Sequence, residues 1–417
     1  MINDKTGPTP HSLLPTPYSL LPTPHSLYIH IPFCAGGKCD YCDFFSVPVN
    51  AGDRVLEVFV DTLLSEAERL FKACPVKEIP SIYIGGGTPS LLGSTGIERL
   101  LSGLLKLTDQ FSPRPDEITV EANPESTDES FLAAAREGGA TRLSLGIQTF
   151  NEASRQAVNR PSINNAHLHE KLDLAGEYFP LSFSADLLSG LPFQSGEVLA
   201  DDIAALLSHK PSHVSLYALT EEPGTALALK RAAGKLRLPG SDEADELWLK
   251  GRNMLLKAGY GQYEVSNFCI PGKESIHNIR YWRMQDWLAL GPSASGTLVD
   301  GGCRYTIPPD TGAWLSAGGC VFSAEPGLSP EYEKLDTSAL IRETLLMGFR
   351  YIKGPDEALF RRRFNKSLSD LIPKTLGAWR QRSLLQQDKC ALTGEGLLFL
   401  NRFLVEAFKE LDALAST

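Results

Sequence analysis

The stretch Tyr28-Ile-His-Ile-Pro-Phe-Cys34-Ala-Gly-Gly-Lys-Cys39-Asp-Tyr-Cys42-Asp-Phe-Phe45 decides how the rest of the chain is read. Its start alternates apolar and aromatic residues and stops at Pro32, the pattern of a short strand. Three cysteines follow within nine residues. Three thiolates on one loop can hold three irons of a cubane [4Fe-4S] cluster, which ordinarily takes four Cys ligands. The fourth iron would then stay open to a substrate or cofactor. A structural zinc site is the rival. Zinc takes four ligands, often as two C-x2-4-C knuckles. Here there is one knuckle, Cys39 to Cys42, plus Cys34, with His30 as a fourth ligand only if it turns toward the loop.

The surrounding composition narrows the class. A chain of 417 residues with 42% hydrophobic and 22% charged residues is that of an ordinary soluble globular protein, long enough for one large domain and a smaller one. A formal net charge of −10 argues against sequence-independent nucleic-acid binding. The run Arg361-Arg-Arg363 is the local exception and reads as a solvated helix face. Eight cysteines are too sparse for a disulfide scaffold. Outside the trio, Cys74, Cys269, Cys303, Cys320 and Cys390 read mostly as small buried apolar residues. No apolar run reaches the roughly 18 residues of a membrane span. The N-terminus lacks the basic-then-apolar pattern of a secretory signal. A reducing cytoplasm is the expected compartment.

Residues 9–28 repeat Thr-Pro-His-Ser-Leu-Leu-Pro with small changes. Proline at two of every seven positions forbids a helix and spoils a strand ladder, so residues 1–26 are expected to be an extended low-complexity tail. From residue 27 to 260, strand and helix alternate. Expected strands are Tyr28–Ile31, Ser81–Ile84, Glu117–Glu121, Arg142–Gly146, Leu181–Asp186 and His213–Tyr217. Expected helices are 54–73, 94–108, 127–138, 152–158, 164–177 and 196–208. Six βα units predict an α/β fold with a parallel sheet, a partial (β/α)6 barrel whose working face is the C-terminal ends of the strands. Residues 261–335 read as a barrel extension. Residues 336–417 read as a helical domain with helices at Ile341–Phe349, Ala358–Phe364 and Leu368–Leu376, a two-stranded wing around Asp388, and a last helix over 396–412.

The strands end in turns rich in glycine and polar residues. The cysteine loop comes after the first strand, and Gly85-Gly86-Gly87-Thr88-Pro89 after the second. The third ends in Glu121-Ala-Asn123-Pro124, the fourth in Gly146-Ile-Gln148-Thr-Phe150. The fifth ends in Asp186 and runs into Gly190-Leu-Pro192. Glycines let a ligand approach the backbone, and carboxylates accept hydrogen bonds from hydroxyl or ammonium groups. One shared rim makes these loops a single cofactor site.

This ordered set resembles the radical S-adenosylmethionine (SAM) enzymes, in the branch of oxygen-independent coproporphyrinogen III oxidases and HemW-type heme chaperones. The resemblance rests on Tyr28-Ile-His-Ile-Pro-Phe-Cys34, Gly85-Gly-Gly-Thr-Pro-Ser90, Glu121-Ala-Asn-Pro-Glu125, Ser144-Leu-Gly-Ile-Gln-Thr-Phe-Asn151, Asp186-Leu-Leu-Ser-Gly-Leu-Pro192, Tyr263-Glu-Val-Ser-Asn-Phe268 and His277-Asn-Ile-Arg-Tyr-Trp282. It implies a [4Fe-4S] cluster on Cys34, Cys39 and Cys42, with SAM on the open iron. One electron from the cluster would split the sulfonium to methionine and a 5′-deoxyadenosyl radical. It further implies that Tyr28 packs near the cluster, that Gly86 and Gly87 meet the SAM amino group, and that Glu121 binds the ribose. Tyr41, Thr88, Gln148, Arg160 and Asp186 belong to the same cofactor-binding set. The spacing here is C-x4-C-x2-C, one residue longer than the family's C-x3-C-x2-C; Gly36 and Gly37 would let the loop bulge outward.

The residues after the trio, Asp43-Phe44-Phe45-Ser46, lack the further cysteine of the oxidases, which favours the chaperone type. His277 beside Tyr281-Trp282 is then the expected heme contact, since imidazole is a standard axial ligand for heme iron. Heme, an acceptor protein for it and an electron-donor protein are the implied partners; neither nucleic acid nor membrane is. A homodimer stays open. The alternative is a coproporphyrinogen III oxidase of porphyrin biosynthesis.

Overall fold

The structure, a computed structural model, describes residues 23–415 apart from 75, 110–113, 162 and 323–325. Most of the Pro-rich repeat therefore lies outside the described residues. Its end does not. Thr23–Pro24 pairs in parallel with Val76–Glu78, and His25 and Ser26 are buried at 2% and 0% exposure. The folded part thus begins by Thr23, and the expected tail boundary at residue 26 is corrected accordingly.

Six parallel strands form the body: β1 (Ser26–Ile31), β2 (Ser81–Gly86), β3 (Glu117–Ala122), β4 (Arg142–Gln148), β5 (Phe183–Ser189) and β6 (His213–Ala218). They pair in sequence order. Helices α1 (Arg54–Ala73), α2 (Gly93–Thr108), α3 (Glu129–Glu137), α4 (Glu152–Ala157), α5 (Asn165–Tyr178) and α6 (Gly196–Ser208) fall between them. Period-2 alternation sends Leu27, Ile29, Ile31, Ile82, Ile84 and Val120 into the layer under the helices, all at 0% exposure. In α1 the buried stripe is Leu56, Phe59, Val60, Leu63, Ala67 and Leu70, while Val58 is exposed.

The opposite face of these strands is polar. A parallel sheet covered on both sides is usually apolar on both. Here the lumen is held by hydrogen bonds instead: Ser81 Oγ donates to Ser26 Oγ (3.0 Å), Ser144 pairs with Ser184 (2.8 Å), and Tyr83 donates to Glu121 (2.6 Å). A polar lumen has room for a polar ligand at its top.

Residues 261–335 are woven into the same sheet rather than standing apart. β7 (Gly261–Gln262) and β8 (Asn267–Cys269) extend it antiparallel beyond β6. At the other edge β9 (Trp287–Leu290) joins β1 in parallel, followed by β10 (Ser295–Leu298), β11 (Cys303–Thr306) and β12 (Glu331–Lys334). The order is β7-β8-β6-β5-β4-β3-β2-β1-β9-β10-β11-β12. Two more helices, α7 (Ala226–Ala232) and α8 (Ser241–Lys257), follow β6, and α9 (Ile276–Trp282) crosses the N-terminal end of the lumen. Glu117 fixes α9 there, accepting from Ser275 Oγ (3.0 Å), Ile276 N (2.9 Å) and His277 N (2.9 Å). Glu117→Ala would strand those donors in a buried place. It is expected to lower stability by about 3 kcal/mol, read as a reduced urea midpoint with an unchanged slope.

The C-terminal helices have their own core. After α10 (Thr311–Ser316) come α11 (Thr337–Gly348), α12 (Glu357–Phe364), α13 (Leu368–Leu371), α14 (Pro373–Gln381) and α15 (Leu400–Ala415). Trp379 and Phe403, both fully buried, meet edge-on at 5.1 Å. The expected single helix over Leu368–Leu376 is two, because Pro373 cannot donate its amide and starts a new helix. The expected wing reduces to one bridge, Leu385 to Leu392.

Candidate cofactor site

The C-terminal ends of the strands open into a cavity of about 380 Å³. Cys34, Cys39 and Cys42 stand at its mouth, and Tyr41, Gly86, Gly87, Glu121, Gln148, Arg160 and Asp186 line it. The strand ends thus bring together residues far apart in the chain, from Cys34 to Tyr217. Two expected members stand just behind: Thr88 Oγ1 donates toward Cys34 Sγ (3.8 Å), and Tyr28 OH bonds His30 (2.9 Å) one layer below.

The cysteine loop has a free half and a held half. Cys34 closes a short strand, Phe33–Cys34, paired with Val47–Pro48. Gly36 and Gly37 have φ of +66° and +108°, and a Cβ on either would meet nothing within 4 Å. The extra residue of the C-x4-C spacing is taken up in this outward turn. From Lys38 onward the loop is gripped. Asp40 N donates to Val158 O (2.9 Å), Leu227 N donates to Asp40 O (2.8 Å), and Lys230 pairs with the Asp40 carboxylate. Asn159 reaches Lys38 O (3.4 Å).

Electrostatics favour anions at the mouth. Arg160 is buried and holds its proton above the usual arginine range, because the polar and acidic groups around it outweigh the burial penalty. It donates to Tyr41 OH (3.3 Å), Asn123 Oδ1 (3.4 Å) and Gly146 O, and lies 3.9 Å from Cys39 Sγ. Burial pushes the Cys39 thiol up, against the pull of Arg160, and Cys42 up to about 11. Deeper in, burial raises Glu121 to about 7; Tyr83 OH (2.6 Å) and Gly86 N (3.1 Å) oppose that shift and Asp186 adds to it. Asp186 is raised by the same cause, and its Oδ1 is enclosed without a partner.

The backbone is shaped for close approach. A Cβ on Gly87 would lie 2.5 Å from Phe33 O and 2.7 Å from Ile31 O; one on Gly86 (φ +105°) would lie 2.4 Å from the His30 ring. Gln148 sits at φ +68° where the β4–β5 register slips, strain of a kind that gathers at functional sites. Gly87→Ala is expected to cost about 2 kcal/mol of stability by overpacking. It should also displace Cys34, giving weaker iron retention in a chelator challenge.

These observations fit a cluster and SAM. Three thiols face one cavity, an unpartnered buried carboxylate oxygen and a second carboxylate point to a ligand rich in donors, and glycines keep the walls low. They fit a single zinc ion less well. His30 Nε2 donates to Phe45 O (2.9 Å) and Nδ1 accepts from Tyr28 OH, so it has no lone pair for a metal.

His277 stands apart from the rest of the expected set. It is 1% exposed, at the opposite end of the lumen from the cysteines. Ser81 Oγ spends its proton on Ser26, so His277 Nδ1–H donates to Ser81 (3.0 Å), and Nε2 accepts from Tyr281 OH (2.9 Å). Burial lowers its pKa to about 3. Both nitrogens are committed within the fold. Conversely, the expected set left out Tyr83, Asn123 and Tyr217. Asn123 stands two residues after Glu121 and Tyr83 four before Gly87, so strand alternation held the signal for those two; Tyr217 lies on a strand with no chosen residue.

The sequence matches the Radical SAM superfamily over residues 28–205. Heme chaperone HemW of Lactococcus lactis is 31% identical over 362 residues, covering 87% of this chain and 91% of the relative. The mouse protein "Radical S-adenosyl methionine domain-containing protein 1, mitochondrial" is 36% identical over 333 residues, 78% of this chain and 72% of that one. The solved coproporphyrinogen III oxidase HemN of Escherichia coli superposes with a TM-score of 0.73 at 22% identity, over 93% of this chain and 90% of the other, which establishes the fold. The chain belongs to the radical SAM superfamily and, within it, to the HemW family.

Proposed function

We propose that this chain is a heme chaperone: it takes up heme and passes it to an acceptor protein, with a [4Fe-4S] cluster and SAM at the barrel mouth. The observation that carries the reading is the similarity to a relative named as a heme chaperone along nine-tenths of that relative's length. Bound there, the cluster and SAM would supply one-electron chemistry. The chain's own residues do the placing. Cys34, Cys39 and Cys42 would hold the irons, and the guanidinium of Arg160 would offset negative charge beside them. Glu121 would accept from ribose hydroxyls with Tyr83 fixing its orientation, and Asp186 would accept from a remaining donor. An electron-donor protein completes the system, and a reducing compartment such as the cytoplasm suits it; no helix among the described residues is long and apolar enough to cross a membrane.

The test is anaerobic reconstitution with iron and sulfide, then two assays on one preparation. Hemin titration followed by transfer to an apo-hemoprotein should succeed. Incubation with coproporphyrinogen III, SAM and dithionite should give no decarboxylated product. Product formation without hemin binding would make the oxidase the right reading.

A further inference from the structure

If His277 is locked, another group must meet the heme iron. Of the eight histidines in the chain, all but His11 lie in the described residues. His25, His30, His213 and His277 are buried at 1–3% exposure. His169 and His209 bond to each other (2.7 Å), and His209 to Asp173 (2.7 Å). His167 differs: it is exposed, on the first turn of α5, and lines a cleft of about 1250 Å³ beside the cysteine loop. The mouth cavity, at about 380 Å³, is at the small end for a ligand site and is taken by the cofactors.

We infer that this cleft is the heme site, with His167 as the axial ligand; the inference rests on the chaperone reading above. Its floor is apolar: Leu56, Val60, Leu91 and Leu92. An apolar floor suits a macrocycle face, and imidazole suits its iron. Lys171 lies one turn along α5 from His167, on the same face, and Arg99 stands on α2; each now pairs with an exposed carboxylate, Glu170 (3.2 Å) and Asp61 (2.5 Å), that a propionate would have to displace. Helices α1 and α2 begin at the cleft with no side chain capping their first amides, so their positive ends face it. These suit two propionates.

Acidic residues line the cleft too, and two of the four are engaged: Asp53 accepts from Asn50 N (2.9 Å) and Asp128 from Phe131 N (2.8 Å). Both Glu125 oxygens are buried without a hydrogen-bond partner, and its charge acts on Arg160. Glu57 remains. Ala35, next to Cys34, forms part of the wall, so the ligand would lie against the free half of the cysteine loop.

The experiment titrates hemin into the reconstituted full chain, following the Soret band, with folding checked by circular dichroism. Wild type and His277→Gln should bind alike. His167→Ala should bind about tenfold more weakly with a shifted Soret maximum, and Lys171→Glu should bind more weakly with the maximum kept. His167→Ala with unchanged affinity and spectrum overturns the assignment while leaving the chaperone reading intact. Loss of binding in folded His277→Gln alone does the same. A wild-type chain that binds no hemin overturns both.

Discussion

Replacing Cys39 with serine is expected to reduce iron retained after anaerobic reconstitution from about four atoms per chain to a small fraction of that, with the thermal melt unmoved. The two halves of this result come from different parts of the loop. The sulfur contributes little to the fold, because the loop around it is held through Asp40, Val158, Leu227 and Lys230 rather than through thiols. The cluster has no spare ligand, because the next residues are Asp43 and Phe44 and Cys74 is buried elsewhere. The thiols also set a pH dependence. Burial raises Cys39, and raises Cys42 to about 11, so at neutral pH the metal-free site holds protons that iron must displace. The thiolate fraction grows with pH throughout the range below those values. Iron uptake should therefore be several-fold faster at pH 8.5 than at pH 7, monitored by the visible absorption of the cluster. Deleting Gly36 should leave iron content unchanged, since a side chain at that position would meet nothing within 4 Å.

The strands and their ends could be read from the sequence because each carries its own local signal. Ser81-Ile-Tyr-Ile84 and Glu117-Ile-Thr-Val-Glu121 alternate and are followed by turn residues, and their observed spans differ by at most two residues from those expected. The cysteine trio is local as well. What could not be read depends on partners far along the chain. Nothing within 261–335 announces that Asn267–Cys269 will lie on β6 while Trp287–Leu290 lies on β1, at opposite flanks of the six strands. His277 is the sharpest case. Its motif neighbours Tyr281 and Trp282 look like a porphyrin wall, but Ser81, Ser26 and Glu117, from three separate strands, turn the imidazole inward. The break at Pro373 was visible and is a matter of simple sterics.

Glu121→Gln is expected to move stability and SAM affinity in opposite directions. The carboxyl is raised to about 7 in the fold, first by burial, against about 4.3 in an unfolded chain. A raised carboxyl favours the folded state fully below its unfolded pKa, and that advantage is lost as pH rises through the folded value. At pH 8 the folded chain carries a charge it would rather not hold, a penalty of about 3–4 kcal/mol. Glutamine cannot ionise, so the variant should melt higher at pH 8 and match the native chain near pH 4.5. Binding runs the other way. The ribose hydroxyls need an acceptor, and the ionised carboxylate is the stronger one. With its value near 7, the acceptor is mostly protonated at pH 6 and mostly ionised at pH 8. SAM affinity of the native chain should rise up to about tenfold across that interval. The glutamine variant should bind about 10- to 100-fold more weakly at pH 8 and show no such rise, measured by calorimetry on anaerobic protein. A residue serving only the fold would lose stability when replaced; one held against its own electrostatic preference gains it, and Glu121 is placed to do the latter.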